Sequence, residues 1–223
     1  MKRYELINAP DNIQTLITSF KDVFGVLSDT SFIETFTSKE TIIAYNRPIR
    51  SLRFLLDGKA KISLVHENGN QSIVHFLRSG EYVGELTFLE IEKEHKNVIA
   101  ISDCTFISIN MLEAKRVLRN DSDFLYKLAQ FIGNKMLHRT SFNSKNQNYE
   151  LRNRLAAYIL ATQCKGFYSE KHTETAEYLA VSYRHLLYTI QKFIEEGLLT
   201  KQKKGFSIND SELSKLAKDI TIF

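Results

Sequence analysis

Three long hydrogen-bonding side chains, Arg184, Tyr188 and Gln191, recur at i, i+4 and i+7 within the segment HTETAEYLAVSYRHLLYTIQKFIEEGLLTKQKKGFSI, residues 172–208. A helical period puts them on one face. The chemistry they can perform is recognition, not bond making. A guanidinium fork, a phenol and an amide together donate to and accept from base edges or phosphates. Behind them Leu186, Ile190, Phe193 and Ile194 fall at i, i+4, i+7 and i+8, an apolar stripe that faces a core. A helix packed behind and polar in front fits a DNA major groove, which is wide enough to admit it.

The neighbouring residues supply what such a helix needs to be held in place. Ala176, Leu179 and Ala180 are small or apolar where a preceding helix must cross closely, and Val181 with Ser182 begins the second helix. Gly197 closes it, Leu198 and Leu199 start a strand, and Lys201, Lys203 and Lys204 crowd a turn before Gly205, Phe206 and Ile208 return. Helix, tight turn, helix and basic hairpin make a winged helix-turn-helix. The expected DNA contacts are Thr173, Ser182, Tyr183, Arg184, His185, Tyr188 and Gln191, with Lys201, Lys203 and Lys204 on phosphate. Taken alone, the lysine-rich turn equally fits a solvated loop protecting an edge strand. Tyr183, His185 and Tyr188 could equally pack against neighbouring helices.

Composition bounds the rest. With 223 residues and 43% hydrophobic content, the chain exceeds the usual size of one domain. Residues 1–120 carry 15 Lys and Arg against 15 Asp and Glu, whereas 121–223 carry 15 against 11, so the net charge of +4 lies wholly C-terminal. That asymmetry agrees with an anionic partner for the C-terminal part. No apolar run approaches the roughly 20 residues that span a bilayer, and MKRYELINAPDN lacks the apolar centre of a signal peptide. A cytoplasmic location is expected. Cys104 and Cys164 are 60 residues apart without C-x-x-C spacing, so each is read as a small buried apolar residue, not a disulfide or zinc ligand.

From about 32 to 110 the pattern becomes short and alternating: FIETFTS, TIIAY, LRFLLD, KAKISLVH, SIVHFL, EYVGELTFL, VIAIS and TFISI. Gly58, Gly69 and Gly80 recur every eleven residues, and Glu-Asn-Gly-Asn at 67–70 marks a hairpin turn. Such strands predict an antiparallel barrel or jelly roll, against which a helix carrying Ile13, Leu16, Ile17 and Phe20 would pack. A long helix capped by Asp121 or Ser122 follows. Its Phe124, Leu125, Leu128, Phe131, Ile132 and Met136 form a band wide enough for two partners, the barrel and the same helix of a second chain. Complete burial within one monomer is the alternative. The polar run Asn143–Asn148 is expected to be a hinge. The fold class is α+β: an N-terminal jelly roll over 1–120, a dimerisation helix and hinge over 121–147, and a winged helix-turn-helix over 148–223.

In this order the elements resemble the cyclic-AMP receptor and FNR (Crp/Fnr) family of bacterial transcription regulators over nearly the whole chain. The closest likeness is to its YeiL-like branch, through NRLAAYIL at 153–160, EKHTETAEYLAVSYRHLLY at 170–188 and FIEEGLLTKQKKGF after it. The resemblance implies a homodimer whose recognition helices enter successive major grooves of a near-palindromic site and whose bound form acts on RNA polymerase. It also implies a cyclic-nucleotide-binding-like barrel, in which Gly84, Glu85 and Leu86 form the turn that in the family meets the ribose.

Departures from the family narrow this. Where members that bind cyclic AMP carry Arg-Ser, this chain has His95 and Lys96. A mostly neutral imidazole cannot reproduce the bidentate arginine contact with a cyclic phosphate, so cyclic AMP is not expected, although Lys96 could serve another anion as a point charge. An unidentified effector between Gly84 and Lys96, or a vestigial barrel, remain the alternatives. Two distant cysteines do not make an iron–sulfur site. His66, His75 and His95 are the available haem ligands, each equally a structural strand histidine. On the reading face, cyclic-AMP receptors place Arg, Glu and a later Arg where Tyr183, Arg184 and Tyr188 stand, so a different operator is implied. Ala180 replaces the glycine common at the helix-helix turn, where a left-handed alanine is strained by about 1 kcal/mol. Enzyme signatures are missing. The six histidines form no H-x-H pair of a cupin-like metal site, and there is no G-x-S-x-G or glycine-rich phosphate loop.

Overall fold

The computed structural model describes all residues except 21–22, 24–29, 46, 66–70, 93–95, 219 and 221–223, together with the side chains of 19, 71–72, 138–139 and 141–148. The turn expected at 67–70, with Gly69, lies outside the described residues, as do His66 and His95. Contacts divide the chain into two compact units, one of Met1–Val65 and His75–Lys135, the other of Met136–Phe223 with His66–Val74.

The first unit is a β-rich roll of two antiparallel sheets. In chain order its elements are β1 (Lys2–Glu5), α1 (Asp11–Ser19), β2 (Phe32–Phe36), β3 (Thr41–Ile43), β4 (Ser51–Asp57), β5 (Lys59–Val65), the His75–Arg78 part of β6 (Gln71–Arg78), β7 (Tyr82–Val83), α2 (Glu85–Phe88), β8 (Asn97–Ala100), β9 (Cys104–Asn110) and α3 (Met111–Leu118). One sheet runs β1-β2-β9-β4-β7 and the other β3-β8-β5-β6. β4 is buried along nearly its whole length because both faces are covered. Phe54 meets Phe20 edge-on at 5.3 Å, beside the C-terminus of α1, and on the opposite face Arg53 is held by Glu34 of β2 at 2.7 Å.

One expected strand is mostly something else. EYVGELTFL pairs with β4 through Tyr82 and Val83, with the Glu81 carbonyl accepting the Leu55 N–H at 2.9 Å, and the chain then turns at Gly84, φ +89°, into α2. A Cβ there would lie 2.9 Å from the Ser51 carbonyl oxygen, so the close approach to β4 requires glycine.

α4 (Ser122–Asn148) begins where the Asp121 carboxylate accepts the Phe124 N–H at 2.9 Å, one of the two caps expected. Phe124 and Phe131 pack edge-on to Tyr82 at 6.1 and 5.3 Å, and Phe124 also to Phe88 at 5.7 Å. The expected hinge at Asn143–Asn148 is helical in its backbone. The chain leaves the helix only at Tyr149 and Glu150, because no proline or glycine in the polar run stops it.

The second unit continues with α5 (Leu151–Thr162), β10 (Phe167–Tyr168), α6 (His172–Tyr178), α7 (Tyr183–Glu195), β11 (Leu199–Gln202), β12 (Gly205–Ile208) and α8 (Asp210–Leu216). Its small antiparallel sheet has the order β10-β12-β11, and α8, capped by the Asn209 side chain, packs on α5. Tyr158 and Tyr168 are fully buried in this core, their rings edge-on at 6.3 Å.

Candidate nucleic-acid interface

α7 is fixed at both ends by backbone geometry. The last turn of α6 closes as a Schellman motif: the Ala180 N–H donates to the Glu177 carbonyl and the Val181 N–H to the Ala176 carbonyl, both at 3.0 Å. This places Ala180 at φ +52°, the left-handed conformation expected from its position. The Ser182 hydroxyl then accepts the His185 N–H at 3.2 Å and caps α7. At the far end Gly197, φ +75°, closes a second Schellman motif, with the Leu198 N–H on the Phe193 carbonyl at 2.8 Å.

α5 anchors the pair from behind. Arg154 Nη1 donates to the Leu179 carbonyl at 2.7 Å, satisfying the end of α6, and Arg152 Nη2 lies 2.7 Å from Glu196 Oε2 just past the end of α7. Leu186, Ile190 and Phe193 are buried, so the inward stripe lies where its period demands.

The other face of α7 is open. Tyr183, Arg184, His185, Tyr188 and Gln191 are all exposed, the tyrosines by 48% and 63%. Thr173 and Tyr183 border a shallow groove of about 350 Å³ between α6 and α7. Ser182 is exposed too, but its hydroxyl is engaged in the cap. Arg184, Lys201, Lys203 and Lys204 form no ion pair among the described residues, so their charges are available to an outside anion.

Two residues of this face escaped the sequence pattern, Lys192 and Glu195, though i+8 and i+11 from Arg184 continue the same row. Lys192 Nζ pairs with Glu195 Oε2 at 2.8 Å and lies 5.8 Å from the Tyr188 ring centre, while Gln191 Nε2 donates to Glu195 Oε1 at 3.3 Å. Gln191 is thus drawn toward a carboxylate and away from the Arg184 end of the helix.

The hairpin pairs Lys201 with Phe206 and Gln202 with Gly205, leaving Lys203 and Lys204 at its tip. Phe206 also stacks on His172 at 6.0 Å, and burial there holds the imidazole pKa below its ordinary range.

The barrel turn is internally satisfied. Glu85 is buried and its Oε1 lies 2.8 Å from Lys135 Nζ of α4. Lys96 Nζ pairs with Glu92 Oε1 at 2.9 Å, and the Thr87 hydroxyl donates to Glu92 Oε2 at 3.0 Å. Leu86 is half-buried, and His75 Nε2 lies 2.9 Å from Glu81 Oε2, a structural role for that histidine.

The apolar band of α4 separates into two sets. Phe124 and Leu128 are 1% exposed and buried within the chain, and Phe131 packs on Tyr82, so these three take the barrel side of the band and are not available to a second chain. Leu125 and Ile132 are half-buried and Met136 is 70% exposed, at i, i+7 and i+11 along the helix. No helix of the described residues is long and apolar enough to cross a membrane.

Comparison with known proteins places these features. Residues 33–121 match the cyclic nucleotide-binding domain. Over 206 residues the chain is 37% identical to the regulatory protein YeiL of Escherichia coli O157:H7, covering 91% of this chain and 94% of that one. A putative transcriptional regulator of the Crp/Fnr family from Eubacterium rectale superposes with a TM-score of 0.68 at 13% identity, covering 95% of this chain and 96% of that one. A CRP-family transcriptional regulator from Thermus thermophilus does so at 0.65 and 19% identity, covering 85% and 98%.

Proposed function

The chain belongs to the Crp/Fnr family of transcription regulators, in its YeiL-like branch, and from that membership we propose that it binds a near-palindromic DNA operator as a homodimer. One observation carries the proposal: α7 has a buried back and an open front on which Arg184 has no ion-pair partner among the described residues. A helix so arranged matches the major groove in width and in hydrogen-bonding capacity.

In this account Arg184 takes a bidentate position on a base edge, and Tyr183, His185, Tyr188 and Gln191 add contacts beside it. Lys201, Lys203 and Lys204 hold phosphate, with Thr173 and Ser182 at the groove edge. Residues 1–120 form the effector domain, 121–147 the dimerisation helix and 148–223 the DNA-binding domain. Leu125, Ile132 and Met136 face the second copy, and the bound dimer acts on RNA polymerase in the cytoplasm. The relatives bear the names of transcription regulators, and no catalytic step, cyclic AMP, iron–sulfur cluster or metal enters the proposal.

Fluorescence anisotropy of a labelled mixed-sequence duplex, titrated with the purified chain over a salt series, tests it. The expected result is binding that weakens linearly in log affinity against log salt, with two chains per bound duplex. Absence of binding by a folded protein at low salt would overturn it.

A further inference from the structure

Between β3 and β4 the chain bends around a cavity of about 450 Å³, lined by Ile42, Ile43, Ile49, Arg47, Arg50 and Arg53 among others. That volume falls within the range of about 300–1,000 Å³ typical of small-molecule sites. We propose that this cavity binds a small organic anion, a carboxylate or phosphate head on a short apolar body, in the first unit of the chain.

The floor is apolar: Ile42, Ile43 and Ile49 are all buried. Among the described lining residues, the polar side chains are those of Arg47, Arg50 and Arg53. Arg53 is 9% exposed and fixed in orientation, its Nε donating to Glu34 Oε2 at 2.7 Å and its Nη2 to Glu34 Oε1 at 3.3 Å. Glu34 Oε2 also accepts the Ser108 hydroxyl at 2.7 Å, so the carboxylate is held from two strands. Arg47 and Arg50 are exposed, and neither has a carboxylate partner among the described residues. Three guanidinium groups against the one carboxylate of Glu34 leave a net charge of +2 around one cavity, 3 minus 1.

Like charges at one mouth repel, and an entering anion relieves that repulsion. Arginine forks match carboxylate and phosphate oxygens two at a time, whereas chloride cannot accept in that pattern. Lys96 and Lys135, by contrast, are already neutralised by Glu92 and Glu85. The arginine cavity is therefore the better anion site in this unit. Its proposed occupancy extends the idea of an effector domain and does not depend on DNA binding.

Isothermal titration of the full chain at constant ionic strength, without DNA, tests the inference with inorganic phosphate, butanoate and hexanoate as probes. Saturable binding is expected, with hexanoate tighter than butanoate if the head is a carboxylate, or phosphate alone if it is a phosphate. Arg47→Gln with Arg50→Gln should weaken binding at least tenfold, and Arg50→Lys, which keeps the charge and loses the fork, should fall between that variant and wild type. No saturable binding by any probe would overturn the proposal. So would binding that survives both arginine substitutions, since the anion would then occupy another site such as the hairpin lysines. Variant folding is checked by the denaturant midpoint, so failure of DNA binding by wild type leaves the anion result readable.

Discussion

Lys135 Nζ lies 2.8 Å from Glu85 Oε1, and the two side chains are only 16% and 7% exposed. The pair ties the long helix to the Gly84 turn from within one compact unit. Removing one partner leaves the other charge buried.

Lys135→Ala should therefore destabilise the first unit by about 3 kcal/mol, the usual scale for stranding a buried ion. Adding Glu85→Gln should recover part of the loss. Denaturant midpoints of the two variants check this; equal midpoints for Lys135→Ala and wild type would show that the pair contributes nothing.

Ala180 at φ +52° is the one place in the interface where the residue conflicts with its backbone. Ala180→Gly relieves that conflict, and a stability gain of up to about 1 kcal/mol is expected, less the entropy glycine adds to the unfolded chain. DNA affinity should not change. A fall in the denaturation midpoint would show that the turn is not strained.

For Arg184→Ala, the expected cost is about 1–3 kcal/mol on the preferred operator, with relaxed selectivity at the contacted base pair. Lys203→Ala should instead weaken all sequences alike and lower the salt slope by about one. Competition binding with point-substituted duplexes separates the two, and uniform weakening by Arg184→Ala would remove it from base recognition.

His172 gives the second unit a pH dependence. Burial depresses its folded pKa below the ordinary 6.5, so the unfolded chain takes up the proton first as pH falls. Stability present above pH 6.5 is lost progressively below it, until the folded imidazole also titrates. Comparing denaturation midpoints at about pH 7.5 and about pH 5.5, on either side of the ordinary imidazole pKa, tests this. His172→Phe should lose less stability over that interval than wild type, and parallel losses would contradict the assignment.

Local patterns carried much of this architecture. The 3.6-residue period of α7 identified both its buried Leu186, Ile190 and Phe193 and its open face, and Gly197 and Ser182 marked its ends. Most roll strands were legible from alternation, but EYVGELTFL was not, since only Tyr82–Val83 is a strand and Glu85–Phe88 is helical. β1 was not, because Lys2–Glu5 is mostly charged and owes its extended form to pairing with β2. α8 was also missed, a short helix of mixed residues that takes its place by packing on α5. The pairs Arg53 with Glu34, Lys135 with Glu85 and Arg154 with the Leu179 carbonyl join residues 19, 50 and 25 apart. No periodicity records such contacts. Gln191 was legible as a face residue, but its turn toward Glu195 was not, since that depends on a side-chain rotamer.

The most direct measurement is selection of bound fragments from a random duplex library by the purified chain at one stated salt concentration, with and without added phosphate and hexanoate. The account predicts enrichment of a two-fold symmetric site with half-sites about one helical turn apart, about 34 Å, and loss of that enrichment in Arg184→Ala. No enriched sequence under any of these conditions, from protein shown to be folded and dimeric, would contradict it.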